Sequence, residues 1–183
     1  MRRPLLIVAA ALLLSAALVG LVVREDRARA AGTEVLLPMR PLDPRSLLSG
    51  HYVIVDIVHP VAGACPALDP RHRWVALAPR GRVHVATGSG VSQAQATRPG
   101  AITVQATAHC GSGFAGGDQV QLRLKGVDRF HADQQEAQAI EKALNASRTG
   151  PAQVFAIVSI GADGQARLKG LEVGGRRTEL SWF

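Results

Sequence analysis

The stretch Leu36 to Val58, LLPMRPLDPRSLLSGHYVIVDIV, sets the architecture of the chain. An apolar run leads into a proline-studded turn, then a glycine, then an alternating segment. Pro41, Asp43 and Pro44 interrupt the first run, and the short segment from Asp43 to Leu48 is compatible with one helical turn before Gly50 ends it. His51 to Val58 reads as a strand, with Tyr52, Ile54, Asp56 and Val58 on one face and Val53, Val55 and Ile57 on the other. A strand of this kind needs partners, and the chain on either side supplies them. Upstream, Thr33 to Met39 reads as a strand. Downstream, Trp74–Ala78 and Arg82–Thr87 read as a hairpin about Pro79-Arg80-Gly81, and Ala101–His109 alternates again. Gln119–Lys125, Gln153–Ile160, Gln165–Val173 and Arg176–Phe183 complete the set, with Asp163-Gly164 and Gly174-Gly175 as hairpin turns. One soluble helix is expected over Ala132 to Ala146, with Asp133 and Glu136 at its start and Ala137, Ile140 and Leu144 on its apolar face. The expected fold is therefore mostly β, of the α+β type, with one inserted helix.

Before this domain lies Leu5 to Val23, nineteen residues without a charge. As a helix it spans roughly 28 Å, close to the hydrocarbon thickness of a bilayer. The expected organisation is a cytoplasmic head at residues 1–4, a transmembrane anchor at 5–23, a linker at 24–32 and the β-rich domain at 33–183. Arg2 and Arg3 hold the head in the cytoplasm and the long tail crosses, although Arg24, Arg27 and Arg29 nearly balance them. Cleavage after Ala28-Arg29-Ala30 is the alternative; the apolar run is longer than a signal-peptide core, and charges separate it from that site. Both readings place the domain outside the cytoplasm.

Two cysteines, Cys65 and Cys110, suit an oxidising compartment, and a disulfide between them would stabilise the fold by about 4 kcal/mol in the chain-entropy model. Free thiols, or a metal set with His59 and His109, are the alternatives; no C-x-x-C or H-x-x-x-H spacing supports a metal. No cofactor is expected. The net charge is +7, but the arginines are scattered and aromatics are only 4% of residues, which is not the footprint of a nucleic-acid binder. The glycine-rich GSGFAGG at 111–117 lacks the spacing and the following helix of a phosphate loop.

The run Pro41-Leu42-Asp43-Pro44-Arg45-Ser46-Leu47-Leu48-Ser49-Gly50-His51-Tyr52-Val53 resembles the DPRSLLRGDYVxLxY signature of the GDYXXLXY family of membrane-anchored proteins. Gly126-Val127-Asp128-Arg129-Phe130 is similar to that family's GIERYFVPEGxGxxLE segment, with Ile140-Glu141 as its Leu-Glu pair, and ARLKGL at 166–171 is similar to its later strand. His51 stands where the family has Asp, and Val55 and Ile57 replace its Leu and second Tyr. The resemblance implies location and architecture rather than a reaction. It gives Pro41, Asp43, Pro44, Arg45, Gly50, His51, Tyr52, Gly126, Asp128, Arg129 and Glu141 a structural role. Arg45, Arg123 and Arg129 are expected to pair with Asp43, Asp128 or Glu141.

A faint likeness to signal-peptidase-like serine proteases fails at Pro38, which has no hydroxyl, and Lys125, Lys142 and Lys169 lack an assignable serine. Asp43, Asp56, Asp128 and Glu141 form no evident glycosidase pair. The expected function is a non-enzymatic accessory or interaction module anchored in the bacterial inner membrane, with an envelope protein as partner. The alternatives are an envelope hydrolase with an unrecognised site and a periplasmic ligand-binding sensor.

Overall fold

The computed structural model describes residues 2–39, 52–55, 57–60, 68–112, 118–127, 129–131, 134–147 and 152–179. Helix α1, Arg2–Ala31, is apolar all round along most of its length, and its side chains from Leu6 to Val23 are exposed on the isolated chain. A helix with no polar face finds its partner in lipid rather than in a soluble core. Among the described residues α1 alone is long and apolar enough to cross a bilayer, with a mean hydropathy of 2.9 over its most apolar window. The stretch 24–32, expected as a linker, is helical as far as Ala31. Only Gly32 separates the helix from strand β1, Thr33–Pro38.

Strand β1 lies at the edge of a four-stranded antiparallel sheet of order β1-β9-β10-β11, with β9 at Val154–Ile160, β10 at Ala166–Val173 and β11 at Arg176–Glu179. The register runs from Thr33 opposite Ile160 to Pro38 opposite Phe155. β9 is buried at every position, as expected of an inner strand covered on both faces. The C-terminal meander follows the expected hairpins: Gly164 and the Gly174-Gly175 pair all have positive φ, which glycine adopts without steric cost.

The second sheet has five strands in the order β3-β7-β6-β4-β5, comprising β3 (Ile57–Pro60), β4 (Trp74–Arg80), β5 (Val83–Gly90), β6 (Ile102–Ser112) and β7 (Asp118–Leu124). β1 approaches β5, and Met39 bridges to Ile57 of β3, so β1 joins the two sheets. Between them lies the core: Val35, Leu37, Val75, Leu77, Val104, Leu122, Val158 and Leu168 are among its buried members. Aliphatic side chains fill it, as the scarcity of aromatics requires.

His51 to Val58 is not one strand. Tyr52–Ile54 forms β2, which pairs with β8 at Arg129–His131, while β3 pairs with β7. Val55 lies between them, buried, and both Val55 and Ile57 face inward as the alternation required. The β4–β5 turn is Gly81-Arg82 rather than Pro79-Arg80-Gly81, because Arg80 pairs directly with Val83. A short helix α2, Gln93–Ala96, capped by Ser92, fills the stretch between β5 and β6. The inserted helix, α3, spans Gln134–Ala146 and buries Ile140 and Leu144. The buried Ser147 hydroxyl donates to the Ala143 carbonyl at 2.9 Å and accepts the Gln153 N–H at 2.9 Å, closing α3 and fixing the chain that enters β9.

Candidate functional site

Three local features carry what this chain offers chemically: the pairing of its two motif segments, the junction of α1 with the domain, and a cationic cleft on the larger sheet. The β2–β8 ladder sets Tyr52 opposite His131, Val53 opposite Phe130 and Ile54 opposite Arg129. Two segments almost eighty positions apart in sequence thereby meet backbone to backbone. Phe130 is nearly fully buried and pins β8 to the core. Gly126 begins this region with φ +83°, a left-handed turn that a side chain would strain. Glu141 lies on α3, half-buried. Pro41, Asp43, Pro44, Arg45, Gly50, His51, Asp128 and Cys65 lie outside the described residues, as do the side chains of Tyr52 and Arg129.

At the junction, the last turns of α1 rest on β9 and β10. Glu25 accepts a hydrogen bond from Arg167 Nε of β10 at 2.7 Å. Gly32 lies so close to β9 that a Cβ there would collide with Ser159 Oγ and crowd the Ile160 backbone. Next to it, Glu34 of β1 takes Lys169 at 3.2 Å and Arg177 at 2.7 Å. Partial burial alone would raise the Glu34 carboxyl pKa, but these two hydrogen-bonded cations hold it below its ordinary value. The helix is thus seated on the sheet by the close approach at Gly32 and by the Glu25–Arg167 ion pair, while Glu34 ties β1 to β10 and β11 just beyond it.

Arg167 also approaches Asp163, at 4.0 Å, in the β9–β10 turn. That turn folds onto the larger sheet. The Gln105 N–H donates to the Gly164 carbonyl at 2.8 Å, and Gln105 Nε2 donates to the Asp163 carbonyl at 3.2 Å. Gly164 sits against the Trp74 ring with no room for a Cβ. Beside this contact opens a cleft of about 470 Å³ lined by Arg73, Gln105, Thr107, Arg123 and Lys125, together with Ala106 and Leu124, whose side chains are buried in the core. Strand pairing explains the lining. Arg123 faces Thr107 across the β6–β7 ladder, the Lys125 N–H donates to the Gln105 carbonyl, and the Ala106 N–H donates to the Arg73 carbonyl. All three cations are exposed.

Elsewhere the electrostatics are structural. Arg82, in the β4–β5 turn, hydrogen-bonds the buried Glu172 of β10 and lies 5.0 Å from the Phe155 ring centroid. Arg71 side-chain and backbone hydrogen bonds lower the Asp69 pKa well below the carboxylate range. Burial pushes the His84 pKa down.

Of the partners expected for Arg123, Asp43 and Asp128 lie outside the described residues and Glu141 makes no ion pair with it; Arg123 lines the cleft. Among the described residues there is no free cysteine, and Cys110 sits opposite Val120 near the end of the β6–β7 ladder. No three His, Cys, Asp or Glu side chains gather as a metal site among the described residues. The cleft residues Arg73 and Gln105 carried no role in the sequence. Arg123 and Lys125, two apart on one strand, share a face by strand periodicity alone, but Arg73 joins them only through the pairing of β4 with β6. A family model described as GDYXXLXY protein matches residues 14–171. No curated protein matches the chain. No solved structure matches it either.

Proposed function

The chain belongs to the GDYXXLXY family, and from that premise we propose that it is an accessory or interaction module, anchored in the bacterial inner membrane with its β-rich domain in the periplasm. The observation that carries this reading is the passage of α1 into β1 with a single residue between them, reinforced by the Glu25–Arg167 bond. A domain on a flexible tether searches a volume; a domain on a short, bonded stem presents one face at one height above the lipid. Such a stem suits a protein that meets a fixed membrane neighbour. The N-terminus lies in the cytoplasm, favoured by Arg2 and Arg3, and the long polar tail lies across the bilayer.

In the oxidising compartment this implies, Cys65 and Cys110 form a disulfide. The support is the even cysteine count and the lack of any free cysteine among the described residues. The domain works by binding and not by catalysis.

Photo-crosslinkers placed one at a time at exposed positions of the domain, in intact membranes, test the proposal. One face should yield a discrete adduct with the same membrane protein, and the opposite face should yield none. Adducts spread evenly over all faces, or absent from all, would contradict a fixed neighbour.

A further inference from the structure

We propose that the cleft bounded by Arg73, Arg123 and Lys125 seats the phosphate of an anionic phospholipid headgroup from the bilayer that α1 enters. The inference rests on the membrane-anchor part of the function proposed above, and is independent of any protein partner.

Position carries the first half of the argument. Glu25 lies two residues beyond the last apolar residue, Val23, a rise of about 3 Å along a helix. Glu25 holds Arg167 at 2.7 Å, Arg167 reaches Asp163 at 4.0 Å, and the Asp163 carbonyl takes the Gln105 amide at 3.2 Å. Gln105 is itself a wall of the cleft. A short chain of polar contacts therefore leads from the end of the apolar helix to the cleft. The Gly164–Trp74 contact and the Gln105 to Gly164 backbone bond hold the turn that carries it. The cleft accordingly opens at the end of the domain from which α1 emerges, within reach of lipid headgroups.

Chemistry carries the second half. Arg73, Arg123 and Lys125 bring three positive charges to one concavity, and none of them forms an ion pair among the described residues. Several cations elsewhere on this domain are matched: Arg71 by Asp69, Arg82 by Glu172, Lys169 and Arg177 by Glu34. What sets the cleft apart is that three cations line one concavity. Arginine forks and a lysine ammonium are the side chains that hold phosphate oxygens, and Gln105 and Thr107 add neutral donors. Arg24 and Arg27, exposed on the emerging helix, add to the attraction for an anionic surface.

The test uses the full chain in neutral detergent micelles, with bound lipid counted by native mass spectrometry. Phosphatidylglycerol, phosphatidylcholine and inorganic phosphate are added separately. The expected result is retention of phosphatidylglycerol well above phosphatidylcholine, no displacement by inorganic phosphate at equal concentration, and a loss of about fivefold for each cation removed in Arg73→Gln, Arg123→Gln and Lys125→Gln. Arg80→Gln, in an exposed arginine at the other end of β4, should retain lipid like the parent chain. Equal retention of the two lipids would overturn the proposal, as would displacement by inorganic phosphate or a triple variant that binds as well as the parent. Alkaline extraction of membranes separates this from failure of the anchor: a chain that stays in the membrane yet shows no lipid preference loses the cleft proposal alone.

Discussion

Arg82 occupies a two-residue turn, yet its guanidinium reaches the buried carboxylate of Glu172 on the other sheet. Glu172 is the side chain at risk in that pair, because Arg82 is largely exposed and Glu172 is not. Arg82→Ala should destabilise the domain by about 1–3 kcal/mol, the usual penalty for a buried polar group left without its partner. Adding Glu172→Gln should recover part of the loss. Denaturant unfolding of the full chain in detergent reads both, and equal stability of parent and Arg82→Ala would show that water replaces the guanidinium.

His84 gives a pH dependence. Its folded pKa lies below the ordinary imidazole value of 6.5 because burial disfavours the imidazolium. The folded state therefore binds fewer protons at this residue than the unfolded chain does. The stabilising contribution is complete above pH 6.5 and is lost as pH falls through the lowered folded value. Glu34 acts with the same sign lower on the scale, complete above 4.5 and lost as its carboxylate protonates. His84→Gln should flatten the fall in urea midpoint between about pH 7 and pH 5 relative to the parent. An unchanged slope would remove His84 from the account.

At the scale of elements, the β9–β10 turn organises more than its own hairpin. Gly164 has φ +73° and its missing side chain is replaced by the Trp74 ring. Gly164→Ala must both adopt a strained backbone and displace the indole, and should cost more than 2 kcal/mol. Trp74 fluorescence should shift with it. Gly174→Ala, with positive φ but open space around it, should be milder and leave the fluorescence unchanged.

These elements also show what the sequence carried. Alternation and glycine pairs placed β9, β10 and β11 to within a few residues, because period-2 burial and the left-handed turn are local signals. The break at Val55 was not local. Alternation runs smoothly through it, and the split into β2 and β3 arises because two different strands, β8 and β7, claim its halves. The cleft was hidden for the same reason. Arg73 reaches Arg123 only through strand order β4-β6-β7, which no spacing along the chain encodes.

For the whole molecule, the decisive feature is the junction between an apolar helix and a β domain. The apolar run was legible from composition. Its continuation through Arg24 to Ala31 was not, because charged residues there suggest a linker until Arg167 and β9 are seen to receive the helix end. The joint has a measurable consequence. Gly32→Val would drive side-chain atoms into Ser159 and the Ile160 backbone. It should shift the seat of α1, raising protease sensitivity between residues 24 and 33, while Arg167→Ala should do so more weakly. Neither should release the protein from membranes, since the apolar part of α1 is untouched.

The central claim is that α1 crosses the bilayer once and delivers the domain to the far side. A reporter enzyme that is active only outside the cytoplasm, fused after Phe183, measures this most directly. The account predicts full activity in intact cells, with a parallel fusion to a cytoplasm-only reporter inactive. An inactive external reporter beside an active cytoplasmic one would contradict the orientation and the proposed disulfide together.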